Sequence, residues 1–157
     1  MLKGNNKILI TLILFGVATF CSQSLIAQDS NGWAVFSRVE FKPKFVEDFN
    51  AHMFYPEFTK EILAMESKEI TLEGYVIPLP VDNEVDFTVL SYYPYAQCFF
   101  CGGAGPETIA TVYFKGKTKK FKVDEFIKVK GILVLNAEDI DKTNFIITDA
   151  VLVNNSK

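Results

Sequence analysis

The ten residues CFFCGGAGPE, 98 to 107, concentrate the chemistry of this chain: two cysteines with two phenylalanines between them, then three glycines, a proline and a glutamate. A Cys-x-x-Cys pair followed by glycine suits a metal knuckle, in which both thiolates face one side of a tight turn and Gly102 takes the φ > 0 that the turn needs. Two thiolates favour zinc or Cu(I) over magnesium or calcium, which prefer oxygen ligands. A closed tetrahedral site takes four ligands, and one knuckle supplies two. The candidates to complete it are Glu107, reaching back across the glycines, and His52, the one histidine in the chain. A second copy of the knuckle across a dimer is the other route to four.

The same pair supports a thiol-disulfide redox reading and a passive disulfide reading. A reactive Cys-x-x-Cys commonly opens a helix whose dipole lowers the attacking thiol's pKa, and the glycines and proline after Cys101 oppose a helix there. As a staple, a bridge over so short a loop contributes only about 2 kcal/mol in the chain-entropy model. No CxxCH is present, which excludes covalent haem on the usual motif, and there is no GxSxG, Walker loop or HExxH. The chain therefore reads as a non-catalytic binding or accessory module rather than an enzyme.

The N-terminus sets the compartment. Lys3 and Lys7 precede an apolar run from Ile8 to Phe20, which is the pattern of a secretory signal peptide. A membrane-spanning helix needs about 20 apolar residues, so this shorter run is read as a leader, 1–27, cleaved after Ala27, and the protein as exported, periplasmic or secreted. Acylation of Cys21 is disfavoured by Phe20, which stands where a small residue should precede a lipidated cysteine. Cleavage removes two lysines and no acid, taking the formal charge from −3 to −5. The lysines at 115, 117, 119, 120 and 122 read as a turn and one polar face of a strand. With no concentrated basic stripe, a nucleic-acid partner is not expected. An unidentified protein partner in the cell envelope is.

The elements that must position the loop follow from periodicity. Residues 28–68 read as an N-terminal arm and short helix. Asn31 to Phe41 is the extended part, with Trp33, Val35, Val39 and Phe41 buried, and PEFTKEILAME is the helix, with Pro56 in its first turn and Phe58, Ile62 and Leu63 on one side. From Glu69 the period becomes two, giving strands at 69–79, 86–93, 108–114, 126–135 and 144–153. Gly74 and Gly131, central in the first and fourth, let long strands bend. Five strands, two bending glycines and a long second connection predict an all-β, five-stranded OB-fold-like barrel over 69–157, with an open β-sandwich as the rival. Phe99 and Phe100 are then placed to plug the barrel mouth. Tyr92, Tyr93 and Tyr95 belong to the rim of the core or to a docking surface.

The segments Trp33 with FSRVEF, KEITLEGYVIPL, FTVLSYYPYAQCFFCGGAGPET, and VKGILVL to ITDAVLV resemble a family of small exported OB-like proteins of unknown function. The likeness covers nearly the whole mature chain, and CFFCGGAGPE is its most specific part. Related exported domains carry a Cys-x-His proline-rich loop at the corresponding place, which implies a metal or redox site there; this chain has no histidine in the loop. No activity comes with the resemblance.

The processing reading is checked by mass spectrometry of protein recovered from the exporting cell. The mature chain should begin close to Gln28 and carry no lipid, whereas an intact Met1 or a diacylglyceryl mass on Cys21 would overturn it.

Overall fold

A computed structural model of the chain describes residues 31–77 and 85–153. The leader at 1–27, its cleavage bond and the predicted turn at 80–84 lie outside them. Five strands form a closed barrel: β3 (Glu69–Ile77), β4 (Val85–Ser91), β5 (Ile109–Thr118), β6 (Phe126–Leu135) and β7 (Phe145–Leu152), in the order β3-β4-β5-β7-β6. All neighbours run antiparallel except β5 and β7, which are parallel. This is an all-β, OB-like barrel, as the strand count and glycine positions predict.

Closure depends on β3 serving two partners. Its first part, Glu69 to Tyr75, pairs with Ile132 to Phe126 of β6, and its last part, Tyr75 to Ile77, pairs with Ser91 to Val89 of β4. The exchange falls beside Gly74, where a Cβ would run into the Ser91 carbonyl. At Gly131 the β6–β7 register shifts, and a Cβ would lie 2.6 Å from the Thr148 carbonyl oxygen and 2.7 Å from Ile147 Cγ2. Both glycines are thus required by close backbone approach. Neither has a positive φ.

Strand alternation sends Ile70, Leu72 and Val76 of β3, Leu90 of β4, and Ala110 and Val112 of β5 into one core with Ile127, Val129, Leu133, Phe145, Ile147 and Ala150. On β4 and β5 the alternate positions Phe87, Val89, Ile109, Thr111 and Tyr113 therefore face outward. That outer face carries the candidate site.

The N-terminal preface differs from its prediction. Residues 32–36 form a short helix, α1 (Gly32–Phe36), where an extended arm was expected. The Asn31 side chain caps it by accepting from Trp33 N–H at 3.4 Å. Helical spacing turns Trp33 and Phe36 inward together. Phe36 is fully buried against Phe145, ring centroids 3.9 Å apart, and Trp33 Nε1 donates to the Glu73 carbonyl at 2.8 Å. Strand alternation predicts Val35 buried in place of Phe36; Val35 is only half-buried. A hairpin follows, β1 (Glu40–Val46) with β2 (Ala51–Glu57), joined by a turn in which Asn50 adopts φ 46. Pro56 thus lies in β2, buried, and not in a helix. The helix is shorter than predicted, α2 (Lys60–Leu63), capped by Thr59; it buries Ile62 and leaves Leu63 exposed. Pro56 favours a first helical turn locally, but here it pairs with Phe41 of β1 in the hairpin.

Gly131→Val tests the close approach. The two added methyl groups and Cβ have no space beside Thr148 and Ile147, so the substitution should cost about 1–3 kcal/mol, read as a lower denaturant midpoint. An unchanged midpoint would show that the neighbouring strand yields freely.

Candidate functional site

The cysteine loop connects β4 to β5, the second and third barrel strands. Its base is closed by Tyr92 N–H donating to the Thr108 carbonyl at 2.9 Å, and by Tyr93 N–H donating to Ser91 Oγ at 3.1 Å. Further out, Tyr95 N–H donates to Asp124 Oδ1 at 2.7 Å, tying the loop to the β5–β6 connection. Two 3₁₀ turns follow, Tyr95–Gln97 and Phe99–Cys101, and the second ends at Gly102 with φ 73. No helix begins at Cys101. The Cys98 carbonyl accepts from both Cys101 N–H at 3.1 Å and Gly103 N–H at 3.2 Å, which winds the chain around the pair. Gly103 lies so close to the Gln97 backbone that any Cβ would collide with it.

The loop does not plug the barrel mouth. It lies on the outer face, where Cys98 is fully buried in a small cluster with Ile77, Val89 and Ile109. Phe99 and Phe100 are exposed, and the barrel's own core is completed by Phe36 and Phe145 instead. Tyr92, Tyr93 and Tyr95 are also exposed, although Tyr92 meets Trp33 edge-on at 6.1 Å.

Cys98 and Cys101 are free thiols near enough to influence each other's ionisation, one buried and the other exposed. The Cys101 thiol is raised above its ordinary pKa, first by desolvation within the loop, then by the hydrogen bond with Cys98 and by the charge Cys98 carries when ionised. Such a thiol is a poor nucleophile at neutral pH, the opposite of a helix-activated redox cysteine. This fits the 3₁₀ turn at Cys101.

The other two predicted ligands lie elsewhere. Glu107 occupies the 3₁₀ turn Pro106–Thr108, and its carboxylate folds over Gly105, where a Cβ would strike it. His52 is on β2, edge-on to Phe45 at 5.3 Å. Among the described residues, no three of His, Cys, Asp and Glu converge on one point. The structure brings the two sulfurs together and brings neither Glu107 nor His52 to them.

Beside the loop is a groove of about 510 Å³ that the sequence alone does not reveal. Phe87, Val89, Ile109 and Tyr113 form its floor, with Phe87 and Tyr113 stacked at 5.7 Å. Phe99, Phe100 and Pro106 make one wall, β2 another, and the β6–β7 loop at 137–144 a third. Thr143 Oγ1 tethers that last loop to β5, accepting from Thr111 N–H at 3.0 Å and lying 2.9 Å from Thr111 Oγ1. The alternation of β4 and β5 was the available signal: apolar and aromatic side chains occupy both strand faces, although one barrel face fills the core.

The chain matches no protein-family model and none of the curated proteins. Among solved structures it is similar to a DUF3299 family protein from Pseudomonas aeruginosa PAO1, with a TM-score of 0.45 and 17% sequence identity over 65% of this chain and 70% of that one.

The thiol geometry predicts an alkylation pattern. With iodoacetamide on folded protein, Cys101 should react and Cys98 be protected, by peptide mass spectrometry. Because the folded neighbourhood favours the protonated thiol, the Cys101 rate should rise with pH through a midpoint above that of the unfolded chain. Equal midpoints in the folded and urea-unfolded protein would contradict the raised value.

Proposed function

We propose that the chain is an exported, non-catalytic accessory module that presents the Cys98–Cys101 knuckle to a soft metal ion, zinc or Cu(I). The observation that carries this reading is the loop that winds around the two free thiols, the Cys98 carbonyl accepting from both Cys101 N–H and Gly103 N–H, with Cys101 open to solvent. Pre-placed sulfurs reduce the ordering cost of binding, and thiolate softness selects these metals. Cu(I) accepts as few as two thiolates. Zinc takes four ligands, so a zinc site would recruit a second copy of the knuckle, or Glu107 or His52 after rearrangement. The redox alternative gains no support from a raised thiol at the end of a 3₁₀ turn.

Metal titration of reduced protein under anaerobic conditions tests the proposal. Against a competing chelator, the protein should take one Cu(I) per chain and lose it in Cys98→Ser with Cys101→Ser. If zinc binds through shared knuckles, it should do so at one ion per two chains, with dimerisation seen by light scattering. Glu107→Gln or His52→Gln should leave Cu(I) binding intact; loss in either variant would add that residue to the site. Metal must displace the Cys101 proton, which the fold holds more tightly than usual, so affinity should fall as pH drops. A reduced protein that takes neither metal would overturn the reading.

A further inference from the structure

We infer that the groove beside the cysteine loop takes an extended, basic peptide segment of a partner protein, which adds as a third strand to the free edge of β2 and lays apolar side chains on the outer face of β4 and β5. The first ground is the orientation of β2. Its consecutive residues His52, Met53, Phe54 and Tyr55 all line the groove. Successive strand side chains point to opposite faces, so a strand that lines a groove with four in a row is turned edge-on to it. Among the described residues that edge is unpaired. Among the described residues the hairpin is a two-stranded sheet of β1 and β2, whereas the barrel is closed and has no edge to offer. Extended peptides are bound at such edges by main-chain hydrogen bonds, with pockets for alternate side chains supplying specificity.

The second ground is the match of volume and charge. A groove of about 510 Å³ with Phe87, Val89, Tyr113 and Phe100 around it holds a few apolar side chains, not a whole protein surface. The facing rim, on the β6–β7 loop, carries Glu138, Asp139 and Asp141 against one base, Lys142, which is already bound to Asp139 at 2.7 Å. The rim is held in place by Asn136, whose Nδ2 donates to the Asp139 carbonyl at 2.7 Å while its Oδ1 accepts from Asp139 N–H at 2.9 Å. Glu138 and Asp141 are left to meet cations on the ligand. Strand edge, aromatic floor and acidic rim together describe a peptide that alternates apolar and basic residues. This inference does not rest on metal binding by the cysteines.

The test uses a fluorescein-labelled heptapeptide that alternates lysine with valine and phenylalanine, followed by fluorescence anisotropy with the full mature chain, both intact and as Cys101→Ser. Saturable binding is expected in both, so a failure of the metal reading leaves this result untouched. The same peptide N-methylated at alternate residues should lose binding in one of the two possible frames, because a strand presents only every second N–H to its neighbour. Glutamate in place of lysine should weaken it about tenfold or more. On the protein, Glu138→Gln with Asp141→Asn should weaken binding and flatten its salt dependence, and Phe100→Ser should weaken it with unchanged circular dichroism. No binding of the parent peptide, or equal binding of both methylated frames, would overturn strand addition.

Discussion

Barrel closure through β3 is the constraint on which the rest of this structure depends. One strand must hand over from β6 to β4 at Tyr75, and the handover brings the β3 backbone against Ser91 at Gly74. A comparable approach at Gly131 lets β6 reach β7. Closure consumes every strand edge in the barrel and commits the inner faces of β4 and β5 to the core. Those two strands carry apolar side chains on both faces, so the outer face needs cover of its own. The cysteine loop supplies part of that cover, and Cys98 is the side chain that anchors it.

Anchoring by a cysteine has chemical consequences. Burial of Cys98 among Ile77, Val89 and Ile109 makes it a small apolar packing group as much as a sulfur donor. Its neighbour Cys101 remains in solvent but is held beside it by the Cys101 N–H bond to the Cys98 carbonyl. The fold therefore spends one thiol on position and keeps the other accessible. A loop anchored by an aliphatic residue at 98 would pack equally well and bring no second sulfur to the tip.

The barrel was legible because its strands obey period two over seven to ten residues, with the glycines at bends and turn residues between them; the predicted strand at 126–135 coincides with β6. The preface was not. Trp33 and Phe36 are three apart on a five-residue helix too short to show a period, and the alternation of Val35, Val39 and Phe41 outweighed them. Pro56 carries a helix-start signal, yet it pairs across the hairpin with Phe41, a partner fifteen residues away in the sequence. At the site, Cys98, Cys101 and Gly102 behave as a local motif should, because their geometry is set within a few residues. Glu107 is a candidate by nearness in sequence and His52 as the one histidine, but their positions are decided by the turn at Pro106 and by the β1–β2 hairpin. The groove assembles residues 52 to 144 and has no local signature.

Phe99 and Phe100 occupy the two positions between the cysteines, and they also form a wall of the groove. With Cys98 fixed in its apolar cluster, a backbone movement that carries Cys101 toward or away from it also moves these two rings. A groove occupant that moved the rings in this way would be felt at the sulfurs, and by thermodynamic reciprocity an ion or bond at the sulfurs would change its affinity by the same factor.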